Sequence, residues 1–311
     1  MTLLDEVTRA RDRFVRAGVA AADANADAEV LARHALAWDR ADWLTRCRGG
    51  VPAGFSARYS RLVARRAKRE PVSLITGQRE FHGLTFAVGP AVLTPRPETE
   101  LIVETAIELL GDRSQAPLAI ADIGTGSGCL SVTLARAFPR SAVTAVDVSP
   151  PALAVARGNA AAHGVADRIA WVEAPLADWL AGTASGGERT SIDLMVANLP
   201  YIPTGDLDAL APEVRLHEPR VALDGGPDGL GPLRELLHAA PARLRTGGRL
   251  IVEIGMGQSD AFRDLVAAVA GIDLLDIRAD LQGIPRTAVI AADVRPRTAT
   301  RQIAPDTNAR E

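Results

Sequence analysis

The four consecutive residues Asn198, Leu199, Pro200 and Tyr201 directly follow an apolar run and offer the clearest chemistry in the chain. A nitrogen bonded to a planar group is a poor nucleophile because its lone pair is delocalised. It reacts when hydrogen-bond acceptors hold its N–H groups beside the electrophile. The Asn198 side chain and the Leu199 backbone carbonyl each provide one acceptor. Pro200 keeps residue 199 extended, and Tyr201 can lie against a flat group. The motif predicts a site for a planar nitrogen, and glutamine N5 and adenine N6 fit it equally well.

A glycine-rich loop is the second chemical feature, and it lies between an apolar strand and a helix. The loop follows Asp122 and consists of Gly124, Thr125, Gly126, Ser127 and Gly128. Glycines let a ligand approach the main chain closely, and doubly wound sheets bind nucleotide-like ligands at this turn. The next strand ends at Asp147, where a carboxylate can accept hydrogen bonds from both ribose hydroxyls. The acidic residue and the G-x-G-x-G spacing resemble the first motif of class I methyltransferases. That resemblance implies S-adenosylmethionine as the cofactor.

Each motif alone has a simpler interpretation. Residues 124–128 could form only a tight turn, or a site for a dinucleotide, and residues 198–201 could form an ordinary turn that contains proline. Both motifs, however, follow strands of the same predicted sheet, and Asp147 lies at the expected distance from the loop. We therefore favour a cofactor site with an acceptor site beside it.

The elements that must position these residues alternate between strand and helix from residue 117 onward. This pattern predicts an α/β fold with a doubly wound, mostly parallel sheet of the class I methyltransferase type. Residues 1–72 have apolar side chains at three- and four-residue spacing, which predicts a small all-helical N-terminal domain. We expect residues 73–97 to form a β-hairpin linker, residues 98–294 to form the cofactor-binding catalytic domain, and residues 295–311 to form a disordered tail.

The composition limits the classes of function. Apolar residues make up 47% of the 311 residues, and the formal net charge is −3, so nucleic acid could be bound only through a local basic patch. Cys47 and Cys129 are far apart in the sequence and predict no disulfide framework. No stretch has the roughly 18 uninterrupted apolar residues that a membrane span needs. We expect a cytoplasmic protein without membrane contact or sequence-specific nucleic-acid binding.

At these motifs the chain resembles the bacterial protein-glutamine N5-methyltransferases that modify peptide chain release factors. The resemblance extends to about residue 293, and its most particular stretch is residues 94–100 (TPRPETE). Residues 218–226 (EPRVALDGG), 228–230 (DGL) and 280–286 (DLQGIPR) also match the family.

The resemblance implies S-adenosylmethionine contacts at residues 124–128, Asp147 and Asn198, while residues 198–201 would hold and activate the acceptor glutamine. The resemblance also implies that this glutamine belongs to a Gly-Gly-Gln loop in the release factor, and that the helical domain of residues 1–72 helps to recognise that protein substrate. The release factor would be the protein partner, either free in solution or bound to the ribosome.

Two departures from the family pattern affect this interpretation. The commoner motif has proline at position 199, where this chain has leucine, and any residue there still provides a backbone carbonyl. Asn-Leu-Pro-Tyr also occurs in ribosomal RNA adenine dimethyltransferases, which keeps N6-methylation of adenine in RNA or DNA as the alternative. Pro175 and Leu176 replace the acidic and aromatic residues that usually lie near the adenine of the cofactor, so the adenine contact has no assigned residue.

Other groups have plainer interpretations. Glu98 and Glu100 suit the N-terminus of a helix, Cys129 suits helix packing, and Glu253 has no assigned role. The five histidines lack the spacing of a metal site. A basic run is typical of a solvated helix face, with contact to an acidic partner or ribosomal RNA as the alternative; its members are Arg58, Arg61, Arg65, Arg66, Lys68 and Arg69.

Three hypotheses of different classes remain at this point. They are an enzyme that methylates a release-factor glutamine, an enzyme that methylates an adenine amine, and a binding protein that keeps the fold without activity. Residues 94–100 and 218–230 favour the first hypothesis. The negative net charge disfavours the second, and the presence of both Asp147 and Asn198 disfavours the third.

Overall fold

The computed structural model describes residues 2–182 and 191–292, so the tail predicted at 295–311 lies outside the described residues. Nine strands form a two-stranded and a seven-stranded sheet within that part of the chain: β1 (Gln78–Phe81), β2 (Leu84–Ala87), β3 (Ala119–Ile123), β4 (Ala142–Asp147), β5 (Ile169–Glu173), β6 (Ile192–Ala197), β7 (Leu244–Glu253), β8 (Ile272–Ala279) and β9 (Pro285–Ala292).

Twelve α-helices surround these strands in the described residues. They are α1 (Leu3–Arg16), α2 (Ala21–Leu36), α3 (Arg40–Arg46), α4 (Phe55–Arg66), α5 (Val72–Thr76), α6 (Glu100–Leu110), α7 (Cys129–Ala137), α8 (Pro150–Ala162), α9 (Leu176–Ala181), α10 (Pro212–Arg215), α11 (Gly231–Ala239) and α12 (Ser259–Ala267). None of these helices is long and apolar enough to cross a lipid bilayer.

The seven-stranded sheet has the order β5-β4-β3-β6-β7-β9-β8, and its first five strands are parallel. Only β9 runs against its neighbours. Two separate apolar clusters contain side chains from alternate positions of the sheet, and every residue of β6 is buried. A strand buried on both faces reads as a continuous apolar run, which is why the sequence pattern located these strands. The prediction of a mostly parallel, doubly wound sheet is confirmed.

The strand order reverses between β3 and β6, and this reversal decides where a ligand can bind. The chain proceeds outward from β3 through β4 to β5, then returns to the other side of β3 as β6. The connections on the two sides lie on opposite faces and leave a crevice at the carboxyl ends of the strands. Asp122, Asp147 and Asn198 lie at or next to the ends of β3, β4 and β6, which brings all three to this edge.

Helices α1 to α5 form a separate small core at the N-terminal end of the chain. Large apolar side chains such as Phe14, Leu31 and Phe55 are fully buried there. Tyr59 stacks on Phe55 with ring centroids 4.9 Å apart and donates its hydroxyl proton to the Ala28 carbonyl at 2.9 Å. The spacing of apolar residues therefore produced a helical bundle, as predicted.

A β-hairpin made of β1 and β2 joins this bundle to the catalytic part of the chain. His82 and Gly83 have φ angles of 49° and 74°, which suits a two-residue turn. The Asn159 side chain of α8 binds both backbone groups of Ala87 and also donates to the Ser127 carbonyl at 2.8 Å. The hairpin is thus tied to the glycine-rich loop through one buried asparagine.

An ion-pair cluster joins the helical bundle to the segment that follows β6. Arg69 contacts both carboxylate oxygens of Glu213, at 2.6 and 2.7 Å, and Arg66 contacts one at 2.9 Å. Arg66 also donates to Asp27 at 2.7 Å and is only 5% exposed. The expectation of a solvated basic face is therefore wrong for Arg66 and Arg69. Their positions in the sequence could not show that an acidic partner lay about 145 residues further along.

Replacing Glu213 with glutamine should destabilise the fold at neutral pH. Burial alone would raise the pKa of Glu213, but hydrogen bonds from Arg69 and Arg66 outweigh it and lower the pKa from 4.5 to about 2. A lowered carboxyl pKa contributes stability above the unfolded value and loses it as the pH falls towards the folded value. We expect Glu213→Gln to reduce the free energy of unfolding by roughly 3 kcal/mol at pH 7. Urea unfolding at several pH values measures this difference, which should shrink below pH 4.5.

Glu29→Gln provides the matched control because Glu29 forms a partly exposed pair with Arg33 one helical turn away. That change should cost less than about 1 kcal/mol. Equal losses for the two variants, or a Glu213→Gln loss that does not depend on pH, would contradict the assigned role of the cluster.

Candidate active site

The crevice at the carboxyl ends of the central strands contains most of the predicted site residues. Gly124, Thr125, Gly126, Ser127, Asp147, Asn198, Leu199 and Pro200 all line it. Gly128 and Tyr201 are not among the lining residues. The structure thus brings the cofactor motif and three residues of the acceptor motif to one cavity, although 70 residues separate them in the chain.

The glycine-rich loop is held rigidly from below by Asp122. One carboxylate oxygen of this fully buried residue accepts hydrogen bonds from the Thr125 hydroxyl at 2.7 Å, the Ser131 hydroxyl at 2.6 Å and the Ser131 backbone N–H at 3.0 Å. Burial raises the pKa of Asp122 to about 6 against the opposing effect of these bonds. The acidic residue of the motif therefore organises the loop from inside the protein.

Two glycines of the loop are required for different reasons. Gly124 has a φ of +74°, and a Cβ atom there would lie 3.1 Å from the Leu199 side chain. Gly128 has a φ of +79°, and a Cβ atom there would lie 3.0 Å from the Cβ of Ala156 on α8. Gly124 thus keeps the floor of the crevice open, whereas Gly128 lets α7 pack closely against α8.

Asp147 closes the side of the crevice opposite Asn198. One of its carboxylate oxygens accepts the Gly126 N–H and the other accepts the Ser149 N–H, each at 2.9 Å. A carboxylate has about four lone-pair sites, so each oxygen can accept one more hydrogen bond. These two contacts aim the carboxylate across the glycine-rich loop, where a ribose diol would meet it.

The Asn198 side chain is held by a short hydrogen-bonded chain that begins at Thr99 on the crevice wall and ends at the buried Glu253. Its Nδ2 donates to Thr99 Oγ1 at 2.9 Å, and Thr99 Oγ1 donates to Glu253 Oε2 at 2.6 Å. Thr99 and Glu253 are 2% and 1% exposed. Because the nitrogen of Asn198 is engaged on the protein side, its oxygen is the group left to accept a bond from a ligand.

Tyr201 is held by polar partners at both its hydroxyl and its backbone carbonyl, and it is not among the residues that line the crevice. Its hydroxyl donates to Glu253 Oε1 at 3.1 Å, and its carbonyl accepts from Gln258 Nε2 at 3.0 Å. Burial raises the pKa of the Tyr201 phenol, so the group stays protonated and can donate. The side chain thus belongs to the same buried network as Asn198.

Leucine at position 199 is compatible with this geometry. Its side chain is 6% exposed and belongs to the main apolar cluster of the sheet. The Leu199 side chain points into the protein beneath Gly124. The backbone carbonyl of Leu199 is therefore the part of the residue that can accept a hydrogen bond from a bound group. Proline at this position would provide the same carbonyl. The departure from the commoner motif therefore keeps the second hydrogen-bond acceptor of the site, which is the backbone carbonyl of residue 199.

Part of the crevice lining is apolar. Ala174, Leu176 and Val221 line it together with Pro219 and Pro232. Pro175 is the residue before α9 and is not among the lining residues, whereas Leu176 offers an apolar surface. A flat aromatic ring system suits such walls. The acidic contact that the family usually places here is absent from positions 175 and 176.

The sequence interpretation missed Thr99 and Glu253. Thr99 lies in the 94–100 stretch, whose particular composition was a signal that its polar residues have partners. Glu253 had a second signal, because a charged residue within an otherwise apolar strand is rarely buried without a partner. Neither signal could show that both side chains meet Asn198. No group of three or more histidine, cysteine or acidic side chains is placed to hold a metal ion within the described ranges.

A methyl group at Gly229 should disturb the acceptor motif selectively. Gly229 has a φ of +73°, and a Cβ there would overlap the Tyr201 carbonyl oxygen and lie 2.8 Å from Gln258 Nε2. We expect Gly229→Ala to lower kcat roughly 30-fold, because misplacing reacting groups by a fraction of an ångström is costly. Its cofactor Kd should change less than about twofold, since the contacts of residues 124–127 are untouched.

Gly226→Ala is the matched control, because Gly226 also has a positive φ (+87°) but has open space around its Cβ position. Each variant should lose about 1 kcal/mol of stability from the left-handed backbone, and Gly229→Ala should lose more because its Cβ would overlap the Tyr201 carbonyl oxygen. Steady-state kinetics and calorimetric cofactor titration separate them. Similar kcat values for the two alanine variants would show that the contact with Tyr201 is unimportant.

Comparison with known proteins places the chain among methyltransferases. A family model described as the PrmC N-terminal domain matches residues 7–77, and one described as a methyltransferase domain matches residues 120–217. A release factor glutamine methyltransferase of Cereibacter sphaeroides is 42% identical over 286 residues, which cover 92% of this chain and 97% of that protein.

A second relative has the same name, and one solved structure is also similar. The release factor glutamine methyltransferase of Geobacter sulfurreducens is 47% identical over 225 residues, covering 72% of this chain and 74% of the relative. A crystal structure described as a release factor-specific protein-(glutamine-N5) methyltransferase from Alicyclobacillus acidocaldarius is 29% identical. It covers 67% of this chain and 99% of that one with a TM-score of 0.41.

Proposed function

This chain belongs to the release factor glutamine methyltransferase family, and on that premise we propose the reaction and the residues that carry it out. The enzyme transfers a methyl group from S-adenosylmethionine to the side-chain nitrogen N5 of a glutamine. That glutamine lies in the Gly-Gly-Gln loop of a peptide chain release factor.

The observation that carries the proposal is the orientation of Asn198 at the end of β6. Its amide nitrogen is tied to Thr99, so its oxygen is free to accept one N–H of the glutamine amide. The Leu199 carbonyl accepts the second N–H. With both hydrogens held, the nitrogen lone pair points along one direction, and its conjugation with the carbonyl weakens as the C–N bond twists. Positive charge that develops on the nitrogen strengthens both hydrogen bonds, so the two acceptors stabilise the transition state more than the ground state.

The cofactor fits the residues that line the rest of the crevice. Residues 124–127 present main chain without bulky side chains, Asp147 offers lone pairs to a ribose diol, and Ala174 and Leu176 offer an apolar surface for an adenine ring. When bound, S-adenosylmethionine supplies an electrophilic methyl group on a positively charged sulfur. The Cys129 thiol also lines the crevice, and burial raises its pKa to about 12, so it stays protonated and does not compete as a nucleophile.

We further propose that the helical bundle recognises the body of the release factor in the cytoplasm, where translation ends. The ion pairs from Arg66 and Arg69 to Glu213 connect this bundle to the segment between the acceptor motif and Val221 on the crevice wall. The chain carries a net charge of −3, and two of the six residues in its basic run are engaged in these ion pairs. These charges therefore fit recognition of a protein better than sequence-specific recognition of nucleic acid. A release factor bound to the ribosome is a second form of the same methyl acceptor.

The test is methyl transfer from tritiated S-adenosylmethionine to a purified release factor, with ribosome-bound release factor and ribosomal RNA as the other acceptors. The expected result is label on the release factor that disappears when the glutamine of its Gly-Gly-Gln loop is changed to alanine. Label on RNA alone would replace the proposal with adenine methylation. Label on no acceptor, in the presence of normal cofactor binding, would indicate a binding protein without this activity.

A further inference from the structure

Thr99 and Glu253 form a buried pair beside the acceptor motif: Thr99 lines the crevice next to Asn198, and Glu253 contacts Thr99 and Tyr201. Glu253 lies at the end of β7, beside the end of β6, where Val252 pairs with Ala197. Thr99 lies in the short 3₁₀ turn Pro97–Thr99 that precedes α6. The pair therefore links three separate segments of the chain behind the acceptor site.

The direction of the hydrogen bonds in this chain follows from the chemistry of each group. An ionised carboxylate only accepts, and a threonine hydroxyl has a single proton. While Glu253 is ionised, Thr99 therefore gives that proton to Glu253, and the contact at 2.6 Å has the length of a charge-assisted bond. The lone pairs of Thr99 remain, and one of them accepts a hydrogen bond from the NH2 end of Asn198.

This arrangement decides which end of the Asn198 amide faces the ligand. If the amide were inverted, its oxygen would face Thr99 Oγ1 while the threonine proton was already committed to Glu253. Two acceptors would then stand about 2.9 Å apart with no proton between them. The inverted amide would also present an NH2 group to an incoming NH2 group, so it would repel the acceptor nitrogen instead of holding it.

We propose that Thr99 and Glu253 are positioning residues that set the amide orientation of Asn198, so that its oxygen is presented to the acceptor nitrogen. This inference rests on the proposed function, because it assigns how the acceptor site of that reaction is aligned. The Tyr201 hydroxyl donates a hydrogen bond to the second carboxylate oxygen of Glu253 at 3.1 Å. This bond holds the carboxylate so that its first oxygen stays directed at Thr99.

The charge of Glu253 is therefore part of the alignment. Burial raises the pKa of Glu253, and the hydrogen bonds from Thr99 and Tyr201 oppose that effect. The groups that face the carboxylate from neighbouring elements are Thr99 and Glu98 before α6, Tyr201 after β6, Arg286 and Thr287 on β9, and Cys129 on α7. Once protonated, Glu253 can donate to Thr99, which frees the threonine proton for the oxygen of Asn198 and favours the inverted amide.

The experiment compares Thr99→Val, Thr99→Ser and Glu253→Gln with the wild-type enzyme on a purified release factor. Thr99→Val should lower kcat roughly 30-fold, because loss of an aligned acceptor acts mainly in the transition state. Glu253→Gln should lower kcat less, because a glutamine can either accept the Thr99 proton or donate to Thr99 and so permits both orientations of the Asn198 amide. The KM for the release factor and the calorimetric Kd for S-adenosylmethionine should stay within about threefold of the wild type. Thr99→Ser keeps the hydroxyl and should retain at least about a third of the wild-type kcat.

The pH dependence of kcat separates a positioning role from a merely structural role, because a merely structural role would not change it. The wild-type kcat should fall on the acid side as Glu253 takes up its proton, at a pH above the ordinary glutamate value of 4.5 because the pKa is raised. Glu253→Gln has no such proton and should lack this acid limb.

Retention of wild-type kcat by Thr99→Val would overturn the inference. So would an unchanged acid limb in Glu253→Gln, or a Thr99→Ser loss as large as that of Thr99→Val. If Glu253→Gln does not fold, as judged by thermal melting, the Thr99→Val and Thr99→Ser pair decides alone. Failure of the wild-type enzyme to label the release factor would instead refute the proposed function, so the two failures are distinguishable.

Discussion

Asn198→Ala should abolish methyl transfer while the protein still binds S-adenosylmethionine. The substitution removes one of the two acceptors that hold the glutamine amide and leaves Thr99 Oγ1 without its donor. Loss of one preorganised hydrogen-bonding group at a reacting centre costs about a hundred- to a thousandfold in kcat. We expect the upper end of that range, because an amide nitrogen has little nucleophilicity unless it is held.

Single-turnover labelling of the release factor measures this effect, and calorimetric titration with S-adenosylmethionine measures binding. The cofactor Kd should change by less than about threefold, since the loop and Asp147 are retained. Asn25→Ala is the control, because Asn25 is exposed on α2 and the same atoms are removed there. A kcat within tenfold of the wild type for Asn198→Ala would show that another group holds the acceptor.

Asp147→Ala should prevent cofactor binding at ordinary concentrations. The carboxylate accepts the Gly126 and Ser149 N–H groups, so its removal loosens the glycine-rich loop and also deletes the acceptor for the ribose hydroxyls. Hydrogen bonds to charged groups contribute about 1.5 to 3 kcal/mol each. The loss should raise the Kd for S-adenosylmethionine roughly a hundredfold or more.

Glu173→Ala is the matched control for this variant. Glu173 pairs with Asp147 in the register of β4 and β5, but it is exposed and is not among the residues that line the crevice. Its Kd should equal that of the wild type. Cofactor-induced thermal stabilisation provides a second readout, because a ligand that binds the folded state raises the melting temperature. Equal stabilisation of Asp147→Ala and the wild type would remove Asp147 from the cofactor site.

The sequence could identify some residues of the cofactor site but could not show the surroundings of others. Residues 124–127 and Asp147 were identifiable because their conformation and position depend on local features, namely glycine at positive φ and a carboxylate at the end of the next strand. Gly128 belongs to the same motif, but its surroundings are set by Ala156 on α8. That contact depends on how two helices pack, and motif spacing does not encode it.

Tyr201 also shows that a position within a motif does not determine which partner a side chain contacts. Its place in the motif suggested a face for the acceptor to lie against, whereas its hydroxyl contacts Glu253 and the residue does not line the crevice. A side chain turns towards the partner that satisfies its polar group when it is buried. That partner lies 52 residues away on β7, so its identity depends on the order of the strands.

What the sequence determined by itself is the doubly wound sheet, the helical bundle, the hairpin and the positions of the two motifs. These features follow from periodic burial and from local conformational preferences, which are properties of neighbouring residues. Only the tertiary structure decided that Thr99 and Glu253 meet Asn198 and that Arg66 and Arg69 meet Glu213. Buried polar and charged groups need partners, but the choice of partner depends on which distant segments the fold brings within about 3 Å, and no local pattern contains that information.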